Sequence, residues 1–343
     1  MLDGGKLMKN SQTFFTKNKV LFWVGLVVLL LVAVVLSLGV GAVKLSPSEV
    51  LAVLLGENSG SVAARIVLYT RLPRTCAAML AGAALAVAGA IIQTVLNNPL
   101  ASPGIIGVNS SAGLAVAILC AVMPTAQRFV PVAAFAGALS GVMFIMILSQ
   151  KTGASRMTVV LAGVAVSNLF SAGIDTVITV VPEALAGVTD FRIGGFTGVT
   201  MKQLGPAAVI IFISLTAAFT LSQQLDILSL GADTAASLGL AVKPVRVILL
   251  VLASALAGAA VSFSGLLSFV GLIVPHTMRR LRGETSFSLL ASSALGGAFF
   301  VCLCDLFARI IFLPFEIPVG IVLAFAGAPF FLWILFRQKG GHV

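Results

Sequence analysis

The chain has 343 residues, of which 59% are hydrophobic and only 9% charged, and its formal net charge at pH 7 is +10. Soluble globular domains carry about 25% charged residues, so this composition excludes a soluble fold and indicates a protein whose solvent is lipid. The first apolar run, residues 21–40, is continuous and does not alternate, which predicts membrane-spanning helices rather than barrel strands. The basic residues lie between apolar runs, as topology signals do, so nucleic-acid binding is not predicted.

Ten apolar spans follow one another along the chain and predict an all-α integral membrane protein with a single transmembrane domain over residues 1–343. The first is predicted to be a retained helix, because its apolar run is longer than that of a signal peptide. The eighth is too short to cross a bilayer core of about 30 Å, so a partial or re-entrant helix covered by protein is predicted there. The predicted spans are residues 20–43, 72–96, 105–123, 129–149, 158–181, 204–223, 244–270, 272–283, 287–313 and 317–337.

The distribution of basic residues predicts the orientation of these spans. The lysine-rich N-terminal tail, residues 1–19, is predicted to be cytoplasmic, and ten crossings put the C-terminus on the same side. Four arginines would then lie at the outer ends of spans, against the positive-inside rule, which indicates that another role holds them there: Arg65, Arg71, Arg74 and Arg309. The remaining clusters between spans, such as Arg279, Arg280 and Arg282, fall inside.

An internal repeat is visible in the sequence. Residues 80–89 read LAGAALAVAG and residues 256–265 read LAGAAVSFSG, and in both cases a proline follows ten residues later, Pro99 and Pro275. The two segments lie in spans of opposite predicted direction, which indicates an inverted repeat, an architecture of transporters. Chance similarity is the alternative, because small residues recur in membrane helices where neighbours pack closely.

Two places within the spans are candidates for a pathway through the membrane. Asn97 and Asn98 begin a Pro- and Gly-rich segment that breaks the second span, and such a break either lines a cavity or is a simple turn. Asp175 is an acid within the fifth span, which by default is a functional candidate, although it could also sit at a wet helix end.

Few residues suggest chemistry. The four cysteines are predicted to be small buried hydrophobes, and Cys302-x-Cys304 has no histidine or second pair beside it, so no metal site is predicted. His276 is assigned a structural role. The sequence contains no GxxxxGK[ST] phosphate loop, HExxH motif or nucleophile elbow, so the chain is not predicted to be an enzyme and any energy must come from another polypeptide.

Three blocks of sequence resemble one family. RLPRTCAAMLAGAALAVAGAIIQTVLNNPLASPGIIGVNSSAG at 71–113 resembles a signature of the permeases of vitamin B12, haem and iron-siderophore ABC importers, the FecCD family. SGLLSFVGLIVPHTMRRLRG at 264–283 resembles that family's glycine-rich block. DLFAR at 305–309, EIPVG at 316–320 and GAP at 327–329 complete a resemblance that runs in order from about residue 20 to residue 337.

The resemblance implies an assembly. It implies ten helices per subunit, a second permease subunit that is either identical or different, two cytoplasmic ATPases and an extracytoplasmic binding protein, all at a bacterial cytoplasmic membrane. ATP and Mg would bind to the ATPases, and no cofactor is expected on this chain.

The resemblance also implies roles for particular residues. Arg71, Arg74 and Arg309 match positions that dock the binding protein through salt bridges, and a rim of guanidinium groups would steer an acidic partner. A pair between Arg309 and Asp305, one helical turn earlier, is the alternative. Ser155 falls in a segment that resembles the family's gate.

The polar stretch 225–243 matches the family's coupling loop to the ATPase and is long for a mere connection. Two short helices are predicted within it, one capped by Asp233 and ended by Gly239. The residues expected to contact the ATPase are Gly231, Ala232, Asp233, Ala236, Leu238 and Gly239.

The predicted function is the permease subunit of an ABC importer that moves an iron chelate such as a siderophore, haem or a corrinoid. The alternative is an ion-coupled secondary transporter, which would also show an inverted repeat. It needs coupling carboxylates in the membrane, and Asp175 and Asp305 are the candidates.

Overall fold

The computed structural model describes residues 19–57, 61–151, 156–282 and 285–339, and every regular element in these ranges is helical. Ten helices correspond to the ten predicted spans, most of them within a few residues of the predicted bounds. They are α1 Lys19–Gly39, α4 Leu72–Leu96, α5 Val108–Val122, α6 Val130–Lys151, α7 Arg156–Val180, α9 Met201–Thr220, α12 Val242–Ser264, α13 Val270–Arg282, α14 Ser286–Ile310 and α15 Val319–Lys339. Within the described ranges, seven helical stretches are long and apolar enough to cross a membrane, and Val108–Val122 and Val319–Trp333 are shorter apolar helices.

Five shorter helices lie between the spans: α2 Pro47–Leu54, α3 Val62–Ile66, α8 Leu185–Ile193, α10 Ser222–Ser229 and α11 Ala232–Ser237. A π-helical turn, Val67–Arg71, joins α3 to α4, so Val62–Leu96 is one continuous helical stretch. Helix α4 ends at Asn97, whose backbone is left-handed with φ 48°. Asparagine tolerates that conformation better than most residues, which makes it a suitable helix stop.

Helix α4 is the central element of the bundle. Within the stretch Val62–Leu96, 78% of the most apolar segment is buried inside the chain. Glycines allow its neighbours to approach. A Cβ added at Gly82 would lie 2.1 Å from the carbonyl oxygen of Gly297 in α14, and one at Gly89 would lie 1.9 Å from that of Gly271 in α13. Without a hydrophobic driving force between helices in lipid, such close backbone packing is a main source of association.

The inverted repeat predicted from the sequence is present in the packing. Gly82 of α4, in the first repeat, packs against α14, the fourth span of the second repeat. The corresponding residue of the second repeat, Gly258 of α12, packs against α6, the fourth span of the first, and a Cβ added at Gly258 would lie 3.0 Å from that of Ala138. The second span of each repeat therefore packs against the fourth span of the other repeat.

Two spans are half-helices. The eighth, α13, has 13 residues and the third, α5, has 15. At 1.5 Å per residue they are about 20 and 22 Å long, which is less than a bilayer core of about 30 Å. The short eighth span was predicted correctly. The short third was not, because its predicted start at residue 105 lies in turns that Gly107 closes with φ 78°.

The predicted seventh span is too long at its C-terminal end. Helix α12 ends at Ser264, and residues 265–269 form an irregular segment that leads into α13. Gly265 has φ 65°, and a Cβ there would lie 2.5 Å from the carbonyl oxygen of Phe191. A helix cannot continue through that conformation, and the apolar composition of the segment gave no sign of the break.

Contacts between helix termini define the two ends of the bundle. At the first, called the Arg282 end, Arg282 lies beside Phe22 at the start of α1, and Asp226 accepts a hydrogen bond from Ser286 at the start of α14. At the second, called the Arg309 end, Arg309 contacts Ser37 near the end of α1. Helix α1 begins at the Arg282 end, and α15, which starts beside the end of α14, finishes there.

Candidate functional site: a polar pathway between two half-helices and two partner surfaces

A cavity of about 300 Å³ lies between the irregular segments that precede the two half-helices. One wall comes from residues 100–109, before and at the start of α5, and the other from residues 267–272, before and at the start of α13. Its lining residues are Leu85, Leu100, Ser102, Pro103, Gly104, Ile105, Asn109, Leu267, Ser268, Phe269, Gly271, Leu272 and Phe331. The two half-helices belong to different repeats, so the cavity lies where the repeats meet, as substrate sites of transporters do.

The wall of this cavity contains a strained residue. Phe269 has φ 66°, a left-handed conformation that costs a bulky residue of the order of 1–3 kcal/mol. It is held by α15, because a Cβ added at Gly327 would lie 2.3 Å from Cγ of Phe269. Strain of this kind persists only where the surrounding packing over-determines it, and it concentrates at functional sites.

A second cavity, of about 260 Å³, shares Gly104 and Asn109 with the first. Its lining is more polar and includes two charged residues, Asp175 and Arg192. The full set of lining residues is Gly104, Asn109, Ser110, Ser167, Ser171, Ile174, Asp175, Arg192 and Leu266. Because the two cavities share two residues, they form one connected wall of polar and small side chains, called here the pathway wall.

Helix α7 contributes a polar stripe to this wall. Ser167, Ser171 and Asp175 are spaced four residues apart and therefore lie on one helix face. In the part of this helix from Val160 to Val180, only 17% of the most apolar segment is buried within the chain. A span with so little internal packing and a polar stripe needs another surface or an aqueous pathway beside it. Gly163 brings the helix against the pathway loop, since a Cβ added there would lie 2.2 Å from the carbonyl oxygen of Ile105.

The other predicted pathway residues lie elsewhere. Asn97 and Asn98 form the turn that ends α4, where the side-chain oxygen of Asn98 accepts a hydrogen bond from the N–H of Leu100 at 2.9 Å. They do not line either cavity, whereas Ser102 and Gly104, a few residues further on, do. The first part of the broken segment is therefore a simple turn, and its later part lines a cavity. Ser155 lies outside the described residues.

The three arginines predicted to dock a partner lie together in one buried cluster at the Arg309 end, where Arg74 and Arg309 form its ion pairs and Arg71 lies beside them. Arg74 is 5% exposed, and its Nε lies 3.0 Å from both carboxylate oxygens of Asp305. Its Nη1 contacts Glu316, whose side chain is 38% exposed. Arg309, 3% exposed, places its Nε 3.3 Å from Oδ2 of Asp305, which is itself fully buried. The alternative pairing of Arg309 with Asp305 is therefore present.

The same cluster holds the end of helix α1. Arg71, 5% exposed, donates from Nη1 to the carbonyl oxygens of Leu38 at 2.7 Å and Gly39 at 2.8 Å, and from Nη2 to Val43. Arg309 donates to the carbonyl and hydroxyl oxygens of Ser37, at 3.0 and 2.7 Å. Cations at a helix C-terminus complement the orphan carbonyls and the helix dipole.

These contacts correct the expectation of a solvent-facing rim of guanidinium groups. In the described part of the chain, Arg71, Arg74 and Arg309 are buried, and each is hydrogen-bonded to the chain's own oxygens. The physical reason is that a guanidinium at membrane depth needs acceptors, and the ends of α1 and α14 supply them. The docking role of the three arginines stays a prediction.

The predicted coupling loop contains two short helices, as expected. Leu225 and Leu228 of α10 are buried and anchor it, whereas Leu230 and Leu238 are each 61% exposed. Gly239 follows the end of α11 with φ 85°, so its role as the helix stop is confirmed. Asp233 is not the cap: Gly231 occupies the N-cap position, and Asp233 lies in the first turn, where its charge still favours the helix dipole.

The predicted ATPase contacts Asp233, Ala236, Leu238 and Gly239 are exposed on this loop, together with Leu230, whereas Gly231 and Ala232 are half-buried. A Cβ added at Gly231 or Gly239 would meet nothing within 4 Å, so neither glycine is needed for packing inside the chain. Their positive φ values explain them instead.

Several residues in these sites have no role predicted from the sequence. Asp226 lies within the coupling stretch, and its Oδ1 accepts from the N–H of Ser286 at 2.7 Å, which joins the loop to α14. Asn109, Ser167, Ser171 and Arg192 line the pathway wall. The four-residue spacing of Ser167, Ser171 and Asp175 was a usable signal for that face.

Comparison with known proteins gives a consistent result. Residues 29–337 match the FecCD transport family. The chain is 37% identical over 311 residues to the Fe(3+)-citrate import system permease protein YfmE of Bacillus subtilis, covering 90% of this chain and 93% of that protein. It is 37% identical over 275 residues to the Fe(3+) dicitrate transport system permease protein FecD of Escherichia coli, covering 80% and 86%. A solved structure described as an inward-facing conformation of a metal-chelate type ABC transporter superposes with TM-score 0.83 at 29% identity, covering 93% of this chain and 99% of that one.

Proposed function

The chain belongs to the FecCD transport family, and from this premise we propose that it is the multi-pass permease subunit of an ABC importer that moves a ferric chelate across a bacterial cytoplasmic membrane. The observation that carries the proposal is the pathway wall between two half-helices of opposite repeats, in a chain 37% identical to a permease named for Fe(3+)-citrate import. A carboxylate-type siderophore or ferric citrate is the favoured cargo, ahead of haem or a corrinoid.

The pathway wall suits an anionic or polar chelate. Helices α5 and α13 both begin at the first cavity, and helix N-termini carry partial positive charge that favours anionic groups. Serine and asparagine side chains add hydrogen-bonding groups without a fixed charge. Such a surface can pass a chelate without holding it tightly, while the choice of cargo is left to a binding protein.

A second permease subunit would complete the pathway. Helix α7 presents its polar stripe on a helix that is mostly exposed in the single chain. A polar stripe facing lipid would leave hydroxyl and carboxylate groups unsatisfied, which is costly in hydrocarbon. A second subunit, identical or different, placed against α7 would enclose the pathway between two such walls.

ATP-hydrolysing partners would dock on the coupling loop. Leu230 and Leu238 expose apolar surface beside Asp233 at the Arg282 end, and the basic residues between spans support a cytoplasmic orientation for this end, with both termini on the same side. Movement of the loop would pass to α14 through the hydrogen bond between Asp226 and Ser286. ATP and Mg would bind to the partner, because this chain contains no phosphate loop.

An acidic binding protein would dock at the Arg309 end. The ion pairs join Arg74 and Arg309 to Asp305 and Glu316, and the neighbouring Arg71 brings the net charge of the cluster to +1. Glu316 is its most accessible member, so Glu316→Gln should raise the charge to +2 and tighten docking at low ionic strength, with the gain lost at high salt. An affinity that does not change at low ionic strength would argue against docking at this cluster.

An ion-coupled secondary transporter, the alternative function, has fewer candidate carboxylates than the sequence suggested. Asp305 is bound by two arginines and is not available to a coupling ion, which leaves Asp175. Proteoliposomes that contain the permease assembly, its ATPase and binding protein should take up radioactive iron as ferric citrate only when ATP is inside. Uptake driven by an ion gradient without ATP would overturn the importer proposal.

A further inference from the structure

An apolar groove separate from the pathway runs along the outside of the bundle at the Arg282 end. It has a volume of about 430 Å³, and every residue that lines it is apolar or glycine. Helix α1 forms one side through residues 22–29, and Met278, Leu281 and Phe299 of α13 and α14 form the other. Its volume falls within the range of about 300–1,000 Å³ that is typical of ligand pockets.

The mouth of the groove carries a positive charge in a defined position. The guanidinium carbon of Arg282 lies 5.7 Å from the ring centroid of Phe22 and 5.8 Å from that of Trp23. These cation–π contacts hold the side chain over the rim. Arg282 makes no ion pair with a carboxylate of the described residues, so its charge is not neutralised within that part of the chain.

We propose that this groove binds an anionic phospholipid, with one acyl chain between α1 and the α13–α14 pair and the phosphate on Arg282. Phe22 and Leu29 are seven residues apart, so the groove extends about 10 Å along α1, within the depth of one leaflet of about 15 Å. Tryptophan and arginine at a membrane interface are typical of headgroup depth. The lipid would fill the gap beside α1, a helix in which only 22% of the most apolar segment is buried within the chain.

The preceding chain segment is a poorer occupant. Residues 1–18 contain three lysines and one aspartate, a net positive charge of the same sign as Arg282. Like charges in a water-poor site repel, whereas a phosphodiester is complementary. The site does not depend on the nature of the cargo or on ATP coupling, and so it stands or falls apart from the proposed function.

The test is native mass spectrometry of the purified, delipidated permease assembly with phosphatidylglycerol and phosphatidylcholine of the same acyl chains. The first bound phosphatidylglycerol should be retained about fivefold more tightly, the factor expected from one basic residue near an anionic group. Arg282→Gln should abolish this preference. Arg280 is an exposed arginine on the same helix without the contacts to Phe22 and Trp23 that hold Arg282 at the groove, so Arg280→Gln should keep the preference.

A groove-filling variant tests the acyl-chain part. A Cβ at Gly25 meets nothing within 4 Å, so Gly25→Leu should fold and should reduce retention of both lipids several-fold. Gly205→Leu, at a similarly open helical glycine outside the groove, is the matched control and should leave retention unchanged. Equal retention of the two lipids by the unaltered chain, or a preference that survives Arg282→Gln, would overturn the proposal. So would a deletion of residues 1–18 that raises retention of both lipids equally, since the segment would then be the occupant.

Discussion

Neutralising Asp305 should destabilise the permease more than any other single carboxylate change in its described spans. Asp305 is fully buried and is the carboxylate that Arg74 and Arg309 share. Asp305→Asn keeps the shape and one acceptor oxygen but leaves Glu316 as the remaining carboxylate of the cluster, so that the net charge of the cluster, with Arg71, Arg74 and Arg309 counted, rises from +1 to +2. Breaking a buried ion pair by removing one partner costs about 3–5 kcal/mol, so the free energy of unfolding should fall by about that amount.

The loss can be measured as the shift in an SDS-induced unfolding curve, followed by the helical circular-dichroism signal of the purified chain. Asp175→Asn is the matched control, because Asp175 is an exposed acid in a spanning helix, and it should change the unfolding free energy by less than about 0.5 kcal/mol. If the two variants unfold together, the ion cluster does not stabilise the bundle and its arginines are held for another purpose. In that case a variant of Arg309 would say nothing about stability, and its effect on docking of the binding protein should be measured instead.

Three further substitutions test packing, coupling and the pathway. Gly82→Ala should lower the unfolding free energy by about 1–3 kcal/mol in the same assay, because its Cβ would lie 2.1 Å from a carbonyl oxygen of α14, whereas Gly205→Ala should not. Gly239→Val places a β-branched residue at φ 85° and should reduce co-purification of the ATPase and transport, while Gly239→Asn should retain both. Ser171→Phe should block uptake of ferric citrate by proteoliposomes by filling the second cavity, and Leu169→Phe, outside its lining, should not.

The sequence predicted those features that depend on composition and local pattern. Hydropathy alone located ten spans, and the length of the apolar run 272–283 showed that the eighth is too short to cross, in agreement with the 13 residues of α13. The left-handed Gly239 was recognisable because glycine commonly ends a helix. The repeat was visible because close packing requires small residues at equivalent places, such as Gly82 and Gly258.

Features that depend on distant contacts were not predictable in this way. Arg74 and Asp305 are 231 residues apart, and nothing in either local pattern shows that they meet. Without that pairing, an arginine at a helix end is expected to be exposed, which is why a free rim was predicted. The early end of α12 at Ser264 was missed for the same reason: Gly265 leaves the helix with φ 65°, and the N–H of Leu266 then donates at 2.9 Å to the carbonyl oxygen of Phe191, a residue from another part of the chain.

Helix α14 connects the coupling loop to the ion cluster, so the proposed importer function would give the cluster a part in the transport cycle. Its first residue is bound by Asp226 of the coupling loop, and its last turn carries Arg309 at the opposite end. Its 25 residues make a rod of about 37 Å, packed along α4 through the close approach of Gly82 and Gly297. A displacement of the coupling loop that moves α14 as a rigid body would therefore disturb the pairs of Arg309 with Asp305 and Ser37. Because those pairs also fix the end of α1, we expect the packing at the Arg309 end to depend on the position of the coupling loop through this rigid helix.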